Sequence, residues 1–102
     1  MATLKAENEE PNSIWLSGYI EVPQEDLSQV KRALPTHIRL SQQEEDCDFF
    51  RIWQDEDEPT KFHVMESFNS AKAYHRHQAR MKNSEWALIS HRAVRYYDII
   101  GL

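Results

Sequence analysis

A chain of 102 residues is long enough for one domain with one buried core and too short for a core plus an independent second unit. An apolar share of 40%, with three Trp, four Tyr and four Phe, argues against disorder of the whole chain and for an aromatic-rich core or pocket. Twelve Lys and Arg against 17 Asp and Glu leave a net charge of -5, which repels phosphate backbones and anionic bilayers and argues against nucleic acid and membrane surfaces as partners.

Residues 1–12 are charged, contain Pro11 and show no sustained apolar period, so they read as a flexible N-terminal arm ahead of a domain over 13–102. "IWLSGYIEV" alternates, placing Ile14, Leu16, Gly18, Ile20 and Val22 on one face and Trp15, Ser17, Tyr19 and Glu21 on the other. This predicts a strand with bulky groups on both faces, as in a sheet covered on both sides. Pro23 ends it, and "PQEDLSQVKRAL" opens acidic with Leu27, Val30 and Leu34 at helical spacing. Pro35 removes a backbone donor and should kink or restart that helix, with His37 and Ile38 continuing its apolar stripe and the helix fading by Ser41. "QQEED" reads as a polar turn and "CDFFRIW" as a second strand. "QDEDEPT" reads as a charged hairpin loop. "KFHVMESF" then alternates Phe62, Val64, Glu66 and Phe68 against His63, Met65 and Ser67, predicting a third strand. Asn69 or Ser70 can cap a second helix carrying Ala71, Tyr74, His77 or Gln78, and Met81 on one stripe. The stretch around Asn83 to Trp86 reads as irregular, and "ISHRAVRYYDII" as a fourth strand.

The order β-α-β-β-α-β, with both helices on one face of a four-stranded antiparallel sheet, is the α+β ferredoxin-like sandwich. Bulky residues on the opposite sheet face predict a homodimer formed through that face.

Three stretches carry a resemblance to a known family. They are "SGYIEVPQEDL", a strand leading through a proline into an acidic helix start; "HIRLSQQEEDC", a helix end and Glu-containing turn before the second strand; and "FHVMESFNSAKAYHRH". The last is the most specific: a strand ending in Glu66, one residue, the aromatic Phe68, then a helix with His77 nine residues beyond. Over roughly Trp15 to Ile100 the chain resembles the antibiotic biosynthesis monooxygenases, whose fold is a dimeric α+β barrel. That family includes cofactor-free oxygenases of polyketide-type aromatics, quinol monooxygenases, haem-degrading enzymes and aldolase- or isomerase-like enzymes of signal-molecule breakdown. The haem-degrading branch carries an Asn on the first strand and a Trp after the third. This chain has no Asn in its first strand and Phe68 at the Trp position, so the resemblance disfavours haem degradation.

The resemblance implies a cofactor-independent monooxygenase that oxidises a small phenolic or quinol-like substrate with O2. Such an enzyme needs a base, hydrogen bonds to the substrate oxyanion and a dry aromatic pocket. His77 is the candidate base or oxyanion partner, and Glu66 its orienter or a second acid/base. Tyr74 and Trp86 are candidates for stacking on substrate, with His37, Phe50, Trp53 and Met81 also candidate lining. Each residue has a structural reading too. The histidines can be hydrogen-bonded and half-buried, Glu66 can be paired within the core, and the aromatics can be plain core or dimer contact. A non-catalytic small-molecule-binding protein of the same fold, and a structural module with a filled core, are the alternatives.

His75 and His77 point about 200° apart at 100° per helical residue, so they cannot chelate one ion, and no metal site is expected. Cys47, the only cysteine, permits no intrachain disulfide, and its acidic neighbours disfavour a nucleophilic thiolate. With only Gly18 and Gly101 there is no phosphate-binding loop; flavin or nicotinamide could act only as an exchanging substrate, and no bound cofactor is expected. The runs "EEDCD" and "DEDE" read as solvated turns. No apolar run approaches the roughly 20 residues of a bilayer span and the N-terminus lacks a signal-peptide layout, so a cytoplasmic location is expected.

Overall fold

The computed structural model describes residues 13–102; the arm read over 1–12 lies outside the described residues. Strand β1 (Ile14–Glu21) leads through a single 3-10 turn (Gln24–Asp26) into helix α1 (Leu27–Gln42). Strands β2 (Cys47–Gln54) and β3 (Lys61–Phe68) form a hairpin, followed by helices α2 (Ala71–Lys82) and α3 (Glu85–Ile89) and strand β4 (Val94–Ile100). The strands lie in the order β2-β3-β1-β4 and every neighbouring pair is antiparallel. This is the α+β ferredoxin-like fold. No helix of the described residues is long and apolar enough to cross a membrane.

The alternation read in the sequence sorts the sheet into two faces. Ile14, Leu16, Ile20, Phe62, Val64, Phe68, Phe50 and Ile52 are buried under the helices, joined by Val30 from α1 and Ala73 from α2. The opposite face carries Trp15, Phe49, Met65, Tyr96 and Ile100, all exposed in the single chain. Tyr19 and Tyr96 stack across β1 and β4 at 4.8 Å. This apolar face is uncovered in the single chain.

Gly18 is fixed by its surroundings. Its φ is +152°, and a Cβ there would come within 1.9 Å of the Tyr96 carbonyl oxygen on the paired strand. No side chain fits at that crossing of β1 and β4.

Two local expectations change, and one alternative is decided. Helix α1 runs unbroken through Pro35 instead of restarting there. Its buried stripe of Val30, His37 and Ser41 extends past the proline, so packing against the sheet offsets the lost hydrogen bond. The segment after α2 is not irregular: Ser84 caps the one-turn helix α3 by accepting from the Ala87 amide, which turns Trp86 inward. Ser70, not Asn69, caps α2, its hydroxyl accepting from the Ala73 amide at 3.0 Å. The acidic hairpin loop is organised as well, because Asp55 accepts from the Asp57 and Glu58 amides and pairs with His63 at 2.7 Å.

Candidate active site

The site is built where α1, α2 and β3 converge. Helical periodicity places Tyr74 and His77 on the buried face of α2 and leaves His75 exposed on another side, which separates the two histidines. His77 is 1% exposed, with its ring against Phe68 (centroids 4.9 Å apart) and Phe50 (5.6 Å). Its Nδ1 lies 2.9 Å from Glu44 Oε1, in the turn between α1 and β2. Arg80, one turn further along α2, donates from Nε to Glu44 Oε2 and from a terminal nitrogen to the buried Ser41 hydroxyl at 2.9 Å. A carboxylate held by arginine can only accept, so the His77 Nδ1 must carry the proton and Nε2 presents its lone pair.

That lone pair faces Glu66. Strand alternation puts Glu66 on the buried face of β3, between Val64 and Phe68, and its Oε1 lies 3.8 Å from His77 Nε2. The gap is too long for a hydrogen bond. Neither atom has a partner among the described residues. Burial, with the Glu44 charge adding to it, raises the Glu66 carboxyl from 4.5 to about 8. Burial lowers the His77 imidazole, outweighing the opposite pull of Glu44. At pH 7 both groups are therefore neutral: a protonated acid beside an uncharged imidazole, and not an ion pair.

His37, on the buried stripe of α1, stacks on Trp86 at 4.6 Å with their planes 7° apart and meets Phe50 edge-on at 5.4 Å. Its Nδ1 is a third buried polar atom without a partner. Burial, and next the nearby His77, lower its pKa to about 3, so it too is neutral.

An enclosed cavity of about 100 Å³ lies between helices and sheet, with Glu66, His37, Trp86, Met81, Tyr97 and Arg95 among its walls. Four candidates from the sequence meet there: Glu66, His37, Trp86 and Met81. His77 stands behind Glu66, and Phe50 supports both histidine rings. Tyr74 lies off the cavity, edge-on to Phe68 at 5.8 Å. Trp53 faces away from it, stacked on His63 at 5.3 Å with Arg51 over its ring. Trp53 is three residues from the inward Phe50, an odd step that a pleated strand sends to the other face.

Sequence reasoning missed Glu44, Arg80, Gln78, Tyr97 and Arg95. Glu44 lies in a run whose composition reads as a solvated acidic turn, yet it holds the buried histidine. Two signals were available: Arg80 follows His77 by three residues on the same helical face, and Glu44 lies in the Glu-containing turn just ahead of Cys47. Cys47 itself is free and partly buried, and burial, followed by Glu44 and Glu66, raises its thiol to about 11.

Fold and site together define a small α+β ferredoxin-like protein with an acid–imidazole pair beside an enclosed cavity. The family model for antibiotic biosynthesis monooxygenases matches residues 13–86, and the chain belongs to that family. The fold recurs in a candidate antibiotic biosynthesis monooxygenase of Bacteroides thetaiotaomicron, 20% identical, with a TM-score of 0.72 over 90% of this chain and 88% of that one. A candidate antibiotic biosynthesis monooxygenase of Nitrosomonas europaea is 20% identical, with a TM-score of 0.67 over 88% of each chain. A conserved protein of unknown function from Bacteroides thetaiotaomicron is 17% identical, with a TM-score of 0.70 over 88% of this chain and 97% of that one. No curated protein matches.

Proposed function

We propose that the protein is a cofactor-independent monooxygenase that oxidises a single-ring phenol or quinol with O2. The observation that carries the reading is the pair of partnerless buried atoms, Glu66 Oε1 and His77 Nε2, beside a cavity with Trp86 and His37 in its wall. Buried polar atoms are nearly always paired, and a hydroxyl bound in the cavity would supply the missing partner to Glu66. Size bounds the substrate class: a cavity of about 150 Å³ holds a benzene ring, so one of about 100 Å³ admits a single ring only when wall side chains such as Met81 move aside, and excludes a fused system.

The groups support a proton relay. Once the Glu66 side chain rotates to close the 3.8 Å gap to His77 Nε2, it passes its proton there and accepts the substrate hydroxyl proton, and Glu44 stabilises the resulting imidazolium. The phenolate then reduces O2: one oxygen atom enters the ring as a carbonyl, replacing a C–H, and the other leaves as water. The substrate supplies all four electrons, so no external reductant is required. The apolar walls keep water from the oxygenated intermediate.

The test is oxygen consumption by the purified protein over a panel of quinols and phenols, with His77→Ala alongside. Uptake lost by at least 100-fold in the variant supports the relay; unchanged uptake refutes the role of His77. A second reading, holding of a small aromatic molecule without catalysis, is favoured by His77 standing behind Glu66 and not on the cavity wall. Saturable binding without uptake would assign that reading.

The outer sheet face, with Trp15, Phe49, Met65 and Tyr96, supports a homodimer through that surface. A lone cysteine is consistent with a cytoplasmic setting.

A further inference from the structure

The cavity has a neighbour. A hollow of about 400 Å³ on the outer side of α2 is lined by His75, Gln78, Ala79, Met81, Lys82 and Arg95. Three of these, Gln78, Met81 and Arg95, also line the enclosed cavity, so the wall between the two spaces is one side chain thick. Gln78 and Met81 are three residues apart on one face of α2, and both are long, unbranched side chains that move by rotating about their own bonds. Arg95 is held instead, donating to the Ala93 carbonyl at 3.1 Å and to the Ser90 hydroxyl at 3.0 Å.

The charge at this hollow differs in sign from that of the chain. Lys82 and Arg95 line it, and among the described residues no Asp or Glu does, on a protein of net charge -5. A local positive field at the mouth of an enclosed apolar space concentrates anions there. Both terminal nitrogens of Arg95 donate to Ser90 or Ala93, so it offers a carboxylate a fixed positive charge and its remaining N–H groups, not an open fork.

We propose that the hollow between α2 and β4 is the entrance to the cavity, and that it selects a single-ring phenol or quinol bearing a carboxylate. The anionic group rests on Lys82 and Arg95 while the ring passes between Gln78 and Met81. The ring chemistry rests on the oxygenase reading above; the entrance and its charge preference rest on the shared walls and the lining charges.

Calorimetric titration of the full chain at low ionic strength, with 2,5-dihydroxybenzoate and with uncharged hydroquinone, tests this. The carboxylate is expected to bind about tenfold more tightly, the size that two partly exposed charge-assisted contacts supply. In Lys82→Glu the ratio should fall to about one or below. Lys82 is exposed, so that variant does not put the fold at risk, and Arg95→Gln should lower the same ratio. Equal affinities in the wild type, a ratio retained in Lys82→Glu, or binding of neither compound would overturn the proposal. Oxygen uptake separates the two claims. Preferential binding without uptake keeps the entrance and removes the oxygenase reading, whereas uptake of hydroquinone without any charge preference does the reverse.

Discussion

Glu66→Gln isolates the central electrostatic feature of the site, because glutamine keeps the shape and the polar atoms of the side chain while removing its titration. A carboxyl that ionises at 4.5 when unfolded and at about 8 when folded binds one more proton in the folded state across that window. Its contribution to stability is fully present below pH 4.5 and is lost as pH rises towards 8. At 1.36 kcal/mol per pKa unit, the loss reaches about 3 kcal/mol at pH 7 and about 5 kcal/mol above pH 8. Urea unfolding of wild type and Glu66→Gln at one fixed protein concentration, from pH 4.5 to 9, measures the difference directly. The variant should gain several kcal/mol relative to wild type between pH 5 and 8.5, with most other carboxyls cancelling in the comparison. Parallel stability profiles would show that Glu66 ionises normally, and the neutral acid–imidazole pair would then be wrong.

Other regions give sharper mechanical tests. Gly18→Ala forces a Cβ onto the Tyr96 carbonyl and should destabilise the protein by more than about 2 kcal/mol, with hydrogen exchange accelerated first in β4; protection equal to wild type would refute the close approach. Trp15→Glu puts a charge on the uncovered sheet face, so light scattering should shift the protein from dimer to monomer with unchanged far-UV dichroism; a dimer of undiminished affinity would place the interface elsewhere. Pro35→Ala restores the amide that helix α1 lacks and should raise stability by about 1–2 kcal/mol, less than the roughly 3 kcal/mol cost of an interior proline because the unfolded chain gains freedom. A lower melting temperature would mean that the ring of Pro35 is itself a needed contact in the groove it lines.

The fold was legible because its determinants are local. Period-two alternation in "IWLSGYIEV" and "KFHVMESF", the aromatic and branched content of "CDFFRIW" and "ISHRAVRYYDII", and period-3.6 spacing in the helices place every strand and both longer helices without knowledge of any partner. The helical step of about 100° separates His75 from His77, whereas strand parity puts Glu66 on an inward face and sends Trp53 outward, away from the cavity that its aromatic ring alone would suggest. What the tertiary structure decided depends on residues far apart in sequence. Glu44 meets His77 across 33 positions and Arg80 meets Ser41 across 39, and neither pairing follows from the identity of either residue. The unbroken helix through Pro35 is likewise a tertiary outcome, since burial along the whole stripe outweighs one missing hydrogen bond. The shifted pKa of Glu66 is the clearest case. Alternation alone puts a carboxyl among apolar neighbours, but only folding withholds both water and a hydrogen-bond partner, and that withholding keeps the acid protonated beside a neutral imidazole.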